Sequence, residues 1–209
     1  MDSKQMAVRD EVEFCRILIK TNALKFGVFK LTSGKLSPYY VDLRSIPSYP
    51  EAFKKIMGFY GVLVKEEVGL DNFDRISCVP TSGLLFAAVL AFQHSKPILY
   101  VRREAKTHGR ERRIEGVLTP GDRVILVDDL ITTGKSLVDV TQVVRGEGGI
   151  VTDAIVLLDR EEGGRGNLER IGVKLHSFMR ISEVANRLFN LGVIDESKYR
   201  DIIEQCIRG

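Results

Sequence analysis

The stretch Val124–Ser136, VILVDDLITTGKS, constrains this chain more than any other. Four apolar residues in a row, Val124, Ile125, Leu126 and Val127, read as a buried strand of a parallel sheet, where both faces are covered. The carboxylates Asp128 and Asp129 sit where that strand should end. Thr132, Thr133, Gly134 and Ser136 follow, then a helical pattern. The first N–H groups of a helix lack internal partners and carry partial positive charge. A phosphate fits there, and Gly134 lets the backbone come close. Two acidic side chains repel phosphate, so their natural targets are vicinal ribose hydroxyls or water on a divalent cation. The string therefore reads as one device that holds a sugar by its hydroxyls and a phosphate by its backbone.

The rest of the chain supplies a sheet to carry that device. Val8, Val12, Cys15 and Ile19 recur at helical spacing. Gly27 reads as the stop of the helical segment that follows. Phe29–Leu31 and Tyr39–Leu43 read as a hairpin around Ser33–Gly34. Pro50 opens a helix to about Glu67. Strands and helices then alternate: strand Arg75–Val79, helix Gly83–His94, strand Ile98–Arg102, a polar loop to about Pro120, strand Val124–Val127 and helix Ser136–Glu147. Strands Val151–Leu158 and Val173–Ser177 come next, with helices near Ile181–Leu191 and Glu196–Ile207 at the end. That alternation predicts an α/β fold, a mostly parallel twisted sheet flanked by helices. Residues 1–45 differ in character and predict a small N-terminal hood over one end of the sheet in residues 46–209.

At 209 residues the chain suits a single domain with an extension, or at most two domains. Its net charge is only +3, which argues little for nucleic acid. The positive charge is local instead. Arg102, Arg103, Lys106, Arg110, Arg112 and Arg113 face only Glu104 and Glu111 within one stretch, and such a cluster calls for an anionic ligand. A loop as long as 103–120 in a compact domain is often a lid or a binding loop. Cys15, Cys78 and Cys206 have no paired spacing, which favours reduced thiols of a cytoplasmic protein. Cys78 closes an apolar strand and reads as packing. The N-terminus does not read as a secretory signal, and the longest apolar run, Leu84–Phe92, is too short for a membrane span. His94, His108 and His176 show no zinc spacing.

VILVDDLITTGKS resembles the motif with which type I phosphoribosyltransferases bind 5-phosphoribosyl 1-pyrophosphate (PRPP). Two further segments narrow the likeness. Arg102–Arg113, RREAKTHGRERR, resembles the catalytic loop of orotate phosphoribosyltransferases, and Phe29–Arg44, FKLTSGKLSPYYVDLR, resembles their N-terminal signature. The resemblance covers essentially the whole chain. It implies the type I phosphoribosyltransferase fold, with transfer of the 5-phosphoribosyl group from PRPP to orotate, giving orotidine 5′-monophosphate and pyrophosphate. It also implies Mg²⁺ as cofactor, without a side-chain cage, and a homodimer whose loop acts across the interface. PRPP contact is implied at Arg102, Arg103, Lys106 and His108, and along Asp128, Asp129, Leu130, Ile131, Thr132, Thr133, Gly134, Lys135 and Ser136. Catalytic roles fall to Lys106 and His108, which would meet the departing pyrophosphate, and to Asp128 and Asp129.

Orotate contact is implied at Thr132 and Arg160. Orotate is a carboxylate, and an arginine offers it a planar two-pronged donor. On the residues alone, Arg160 between Asp159 and Glu161 reads rather as a surface ion pair. Thr81, Ser82 and Gly83 start a helix where the superfamily often holds pyrophosphate by backbone N–H groups, a reading compatible with a plain helix cap. Tyr39 and Tyr40 read as hairpin packing or as walls of the base pocket. One departure stands out: the signature often has a substrate-contacting lysine where this chain has Thr32, and Lys35 aligns with the other basic position. Two rival readings remain at this point, an enzyme for another base and a PRPP-sensing regulator on the same fold. The loop cations speak against the regulator.

Overall fold

The computed structural model describes residues 3–30, 34–102 and 113–208. Its strands are β1 (Leu24–Lys30), β2 (Leu36–Val41), β3 (Arg75–Cys78), β4 (Ile98–Val101), β5 (Ile114–Glu115), β6 (Val124–Val127), β7 (Leu130–Ile131), β8 (Asp153–Asp159) and β9 (Lys174–Arg180). The α-helices are α1 (Ser3–Lys20), α2 (Pro50–Leu63), α3 (Ser82–His94), α4 (Lys135–Gly146), α5 (Gly164–Glu169), α6 (Ile181–Asn190) and α7 (Glu196–Arg208). β1 and β2 pair antiparallel as a sheet of their own. The other seven strands form one sheet in which only the β4–β5 pair is antiparallel.

The strand order explains where a ligand can sit. β3 and β6 are central neighbours. From β3 the chain crosses through α3 outward to β4, and from β6 it crosses through α4 the opposite way to β8. Right-handed crossovers in opposite directions put the two helices on opposite faces. The side chains agree. Ile125 and Val127 of β6 enter the core cluster that holds Phe86, Ala87 and Leu90 of α3. Val124 and Leu126 enter the cluster that holds Leu137, Val140 and Val144 of α4. The carboxyl ends of β3 and β6 thus flank a topological switch point, where sheets of this kind open a crevice.

β1 and β2 are not independent of the core. Leu24, Tyr39, Val41 and Leu43 belong to the same apolar cluster as α2 and α3. So do Phe14, Cys15, Ile17 and Leu18 of α1, which form its buried face, while Val12 and Ile19 are only half-buried.

The observed elements differ from the sequence reading at several places, among them the short helix α5, which the sequence reading did not contain. Gly27 does not stop a helix. It lies inside β1 at φ +154°, next to a register shift between Phe26 and Phe29, a bulge that glycine tolerates. The helix from Pro50 ends as α-helix at Leu63, and Val64–Val68 continues as a π-helical turn. The polar loop before Pro120 contains β5, which pairs with β4 at the sheet edge. The strand at Val124 does not leave the sheet at the acidic pair. β6 pairs with Ala154–Ile155, and β7 resumes beside Leu158–Asp159 of the same strand β8.

Candidate active site

The acidic pair sits in that interruption of the ladder. Asp128 N–H donates to the Ile155 carbonyl at 3.1 Å, and Leu157 N–H donates to the Asp129 carbonyl at 3.0 Å, so the backbone stays in register. Tyr60 of α2 donates its hydroxyl to the Asp128 carbonyl at 2.6 Å. Asp128 Oδ1 accepts the Asp129 N–H at 3.0 Å and faces the Ser82 hydroxyl at 3.4 Å. Both carboxylates are buried at 7 % exposure. Burial, with the Asp129 charge second, pushes the Asp128 carboxyl well above the usual carboxylate range, and burial also raises Asp129. Two buried carboxylates side by side are costly unless something electropositive or hydroxylated meets them.

Two helix ends open onto the same pocket. Its lining runs from Val79, Pro80 and Ser82 to Asp128–Leu137. α3 begins after Thr81 and α4 after Gly134, and neither end has a side-chain cap. Gly83 N–H donates to the Val79 carbonyl at 3.1 Å, and the other first N–H groups of the two helices are those that an anion can use. Close packing explains the glycines. A Cβ on Gly83 would lie 2.7 Å from the Val127 carbonyl and 2.9 Å from Asp128 Oδ1, so glycine brings α3 up against the acidic pair. Gly134 has φ +74°, and a Cβ there would lie 3.1 Å from the Gly164 carbonyl. A Cβ on Gly164 would overlap the Thr132 carbonyl and reach 2.6 Å from Ile131 Cγ1. Asn167 donates to the Thr133 carbonyl at 2.9 Å from the other end of α5. The loop Thr132–Gly134 is thus cast against α5.

Arg160 follows β8 beside this loop, its N–H donating to the Ile131 carbonyl at 3.0 Å. It is no surface ion pair. The residue is 6 % exposed. Its guanidinium lies 5.0 Å from the centre of the Tyr39 ring, and its Nε donates to the Tyr39 hydroxyl at 3.4 Å. Its Nη2 lies 2.8 Å from Glu162, while Asp159 pairs with Arg165 instead. Tyr39 is fully buried, and burial pushes its hydroxyl up to about 12, so it remains a neutral phenol. β2 therefore places a ring against the guanidinium of Arg160, whose backbone is bonded to Ile131.

Known proteins resemble this chain over most of its length. Residues 45–169 match the phosphoribosyl transferase domain family. The orotate phosphoribosyltransferase of Cenarchaeum symbiosum is 42 % identical over 189 residues, covering 90 % of this chain and 94 % of that one. The orotate phosphoribosyltransferase of Sulfolobus acidocaldarius is 39 % identical over 197 residues, covering 94 % and 98 %. The crystal structure of orotate phosphoribosyltransferase from Aeropyrum pernix superposes with a TM-score of 0.77 at 34 % identity, covering 87 % of this chain and 99 % of that one. The chain belongs to the orotate phosphoribosyltransferase family. Its fold is the type I phosphoribosyltransferase fold expected from the sequence.

For a member of the orotate phosphoribosyltransferase family, the expected site residues gather on one sheet edge as far as they are described. Asp128 to Ser136 line one pocket. Arg160 stands next to it through its bond to Ile131. Arg102 is at the base of the basic loop, where its N–H donates to the Arg113 carbonyl at 2.8 Å and its side chain meets Glu115 at 3.2 Å. Arg103, Lys106, His108 and Thr32 lie outside the described residues. Lys35 is exposed, and Tyr40 packs on Phe29 with ring centres 5.6 Å apart.

Several residues around the site have partners that no motif announces. Arg113 forks onto Asp139 of α4 at 3.0 and 2.6 Å, and so ties the chain just before β5 to the helix that follows Gly134. Arg44, at the end of the hood signature, forks onto Asp42 at 2.6 and 2.9 Å. The Asp129 charge is among those that raise the Arg44 pKa, after Asp42 itself. Tyr60, Glu162 and Asn167 are found only through the fold.

Proposed function

We propose that this protein transfers the 5-phosphoribosyl group from PRPP to orotate, releasing pyrophosphate and forming orotidine 5′-monophosphate in pyrimidine biosynthesis. The observation that carries the reading is the placement of a buried arginine, backed by an aromatic ring, beside an acidic pair and an uncapped helix start. Those three groups answer a carboxylate-bearing base, a ribose and a phosphate. The family relatives, named for that enzyme, support the same reading.

In this reading the 5′-phosphate sits on the N-terminus of α4, held by Thr133, Gly134, Lys135 and Ser136. Asp128 and Asp129 face the ribose hydroxyls. The uncapped start of α3 at Ser82 faces the pyrophosphate. Displacement at the ribose C1 develops positive charge on the sugar and negative charge on the leaving pyrophosphate. Groups aimed at that developing charge lower the barrier most. The buried carboxylates serve the sugar. Arg102, Arg103, Lys106 and His108 serve the pyrophosphate, and His108 has a ring whose ordinary pKa near 6.5 suits a proton donor. Thr132 and Arg160 hold orotate, with the guanidinium on the carboxylate.

The donor set suits magnesium as a substrate-borne ion. Asp128 and Asp129 are a pair of buried carboxylates whose raised proton affinity marks a need for positive charge. Two carboxylates are too few to strip Mg²⁺ of its water, so Asp128 and Asp129 would hold an ion carried by the substrate phosphates mainly through water. When bound, the ion offsets charge on the pyrophosphate.

The reading also includes a single domain with residues 1–45 as hood, a homodimer that shares the basic loop across its interface, and a place in the cytoplasm. No described helix is long and apolar enough to cross a membrane. The experiment is an assay of the purified chain with PRPP, Mg²⁺ and a panel of bases. Loss of orotate absorbance is expected. A clear preference for adenine or uracil, or no turnover of orotate, would overturn the reading.

A further inference from the structure

Arg160 is clamped from three directions, and only one of them is explained by the base site. Tyr39 lies under the guanidinium and accepts from Nε. The substrate side takes the carboxylate in the proposed reading. The third side is Glu162, whose Oε1 lies 2.8 Å from Nη2. Glu162 does not stand alone. Gln205 of α7, 43 positions further on, donates its side-chain N–H to the same Oε1 at 3.2 Å. The C-terminal helix, which also packs on β2 of the hood, thus reaches the guanidinium through one intermediate residue.

Two atoms of this cluster are left short. Arg160 Nη2 is screened from solvent and makes no aligned hydrogen bond, because the Glu162 carboxylate approaches it out of line. Gln205 Oε1 is equally screened and has no donor. Buried polar atoms are seldom left unpaired in native proteins. Among the described residues just one other side-chain atom is in that state, Ser77 Oγ in the central strand β3. A charge contact that is close but misaligned holds a guanidinium without consuming its N–H. A flanking cation with free N–H groups is what a planar, two-pronged acceptor needs.

We infer that Glu162, braced by Gln205, is a positioning residue that sets the guanidinium plane of Arg160 for a carboxylate-bearing base. The inference rests on the reading in which Arg160 receives the orotate carboxylate. It makes α7 part of the specificity apparatus, although Gln205 itself need not touch substrate. Specificity for an acidic base then depends on three pieces of the fold at once: the hood ring, the loop after β8 and the last helix.

The test uses Glu162→Gln, which keeps shape and removes charge, Gln205→Leu, which removes the brace, Glu162→Asp as the conservative variant, and Arg160→Gln as reference. Orotate KM, PRPP KM, kcat and melting temperature are measured on the full chain. Glu162→Gln should raise orotate KM about tenfold, the scale of one charge-assisted contact, with PRPP KM and kcat unchanged. Gln205→Leu should shift orotate KM the same way by less, and Glu162→Asp should recover part of the loss. If Arg160→Gln raises orotate KM but Glu162→Gln does not, the positioning role is wrong and the reading of Arg160 stands. If Arg160→Gln leaves orotate KM unchanged, both fall. Should Glu162→Gln fail to fold, Gln205→Leu decides, and an unchanged orotate KM in that folded variant overturns the inference. Parallel loss of PRPP affinity and kcat in either variant would mark a general packing role and also overturn it.

Discussion

The hydroxyl of Tyr60 donates a 2.6 Å hydrogen bond to the main-chain carbonyl of Asp128. The two residues lie 68 positions apart, on α2 and at the end of β6. Burial holds the Tyr60 hydroxyl well above the ordinary tyrosine range, so it keeps its proton and remains a donor. The bond fixes the backbone of the acidic pair from below, leaving both carboxylates facing the pocket.

Tyr60→Phe removes that donor and leaves a buried carbonyl short of a partner. Such a loss costs about 1–3 kcal/mol. For a chain of this size each kcal/mol moves the melting temperature by roughly 2–4 °C. The variant should therefore melt several degrees lower in a calorimetric scan. Its KM for PRPP should rise, because the pair is no longer held in place, while its pH profile keeps its shape. A wild-type melting point would show that water or a neighbouring group replaces the hydroxyl.

Asp128 makes the opposite prediction for stability. Burial first, and the Asp129 charge second, raise its carboxyl well above the ordinary value. The folded state thus holds a proton up to a higher pH than the unfolded chain does. Stability falls as pH rises through the folded value and is regained on the acid side, down to the unfolded value near 3.9. Asp128→Asn removes the penalty. Its melting temperature at neutral pH should exceed the wild type and depend less on pH. Its turnover should drop at least about a hundredfold, the scale for removing one group that stabilises developing charge. A variant that is both less stable and still active would contradict the ligand role of this carboxylate.

The cysteines test whether the core is closed. Burial pushes the thiols of Cys15, Cys78 and Cys206 up to about 12. Reactivity follows the thiolate, so at pH 8 only about one thiol in ten thousand is in the reactive form. The native protein should give no rapid thiol titration at that pH. Three thiols should titrate after denaturation, since all are free. A fast-reacting thiol in the native state would place one of them outside the packing described.

How far the sequence could be read varies by element, for a physical reason. β6 was legible residue for residue, because both of its faces are buried and four consecutive apolar residues leave no alternative. α3 and α4 begin within one residue of their expected starts, where glycine and hydroxyl residues mark the turn. β5 was not legible. It is two residues long, half-buried, and exists because β4 offers an edge. β7 was hidden by the acidic pair before it and is defined by its register with β8. Gly27 misled because a glycine signals a stop and a bulge alike. At the site, the pocket-lining run Asp128–Ser136 is local and could be read directly. Tyr60, Asp139 and Gln205 meet their partners across 26 to 68 positions, and no local pattern encodes such contacts.

Gly164 and Gly166 separate the phosphate loop from simple helix propensity. Both are in α5. A Cβ on Gly164 would overlap the Thr132 carbonyl and crowd the Ile131 side chain, whereas one on Gly166 meets nothing within 4 Å. The carbonyl is backbone and cannot swing aside, so Gly164→Ala must push the loop Thr132–Gly134 or α5 itself. Overpacking of this kind costs about 1–3 kcal/mol. Gly166→Ala should instead gain up to about 1 kcal/mol, from helix propensity alone. The loop is where the 5′-phosphate is proposed to sit. Gly164→Ala should thus raise the KM for PRPP as well as lower the melting temperature, and Gly166→Ala should leave that KM alone. Steady-state titration of PRPP on both variants checks the pair. An unchanged KM in a destabilised Gly164→Ala would mean that α5 yields while the phosphate loop keeps its shape.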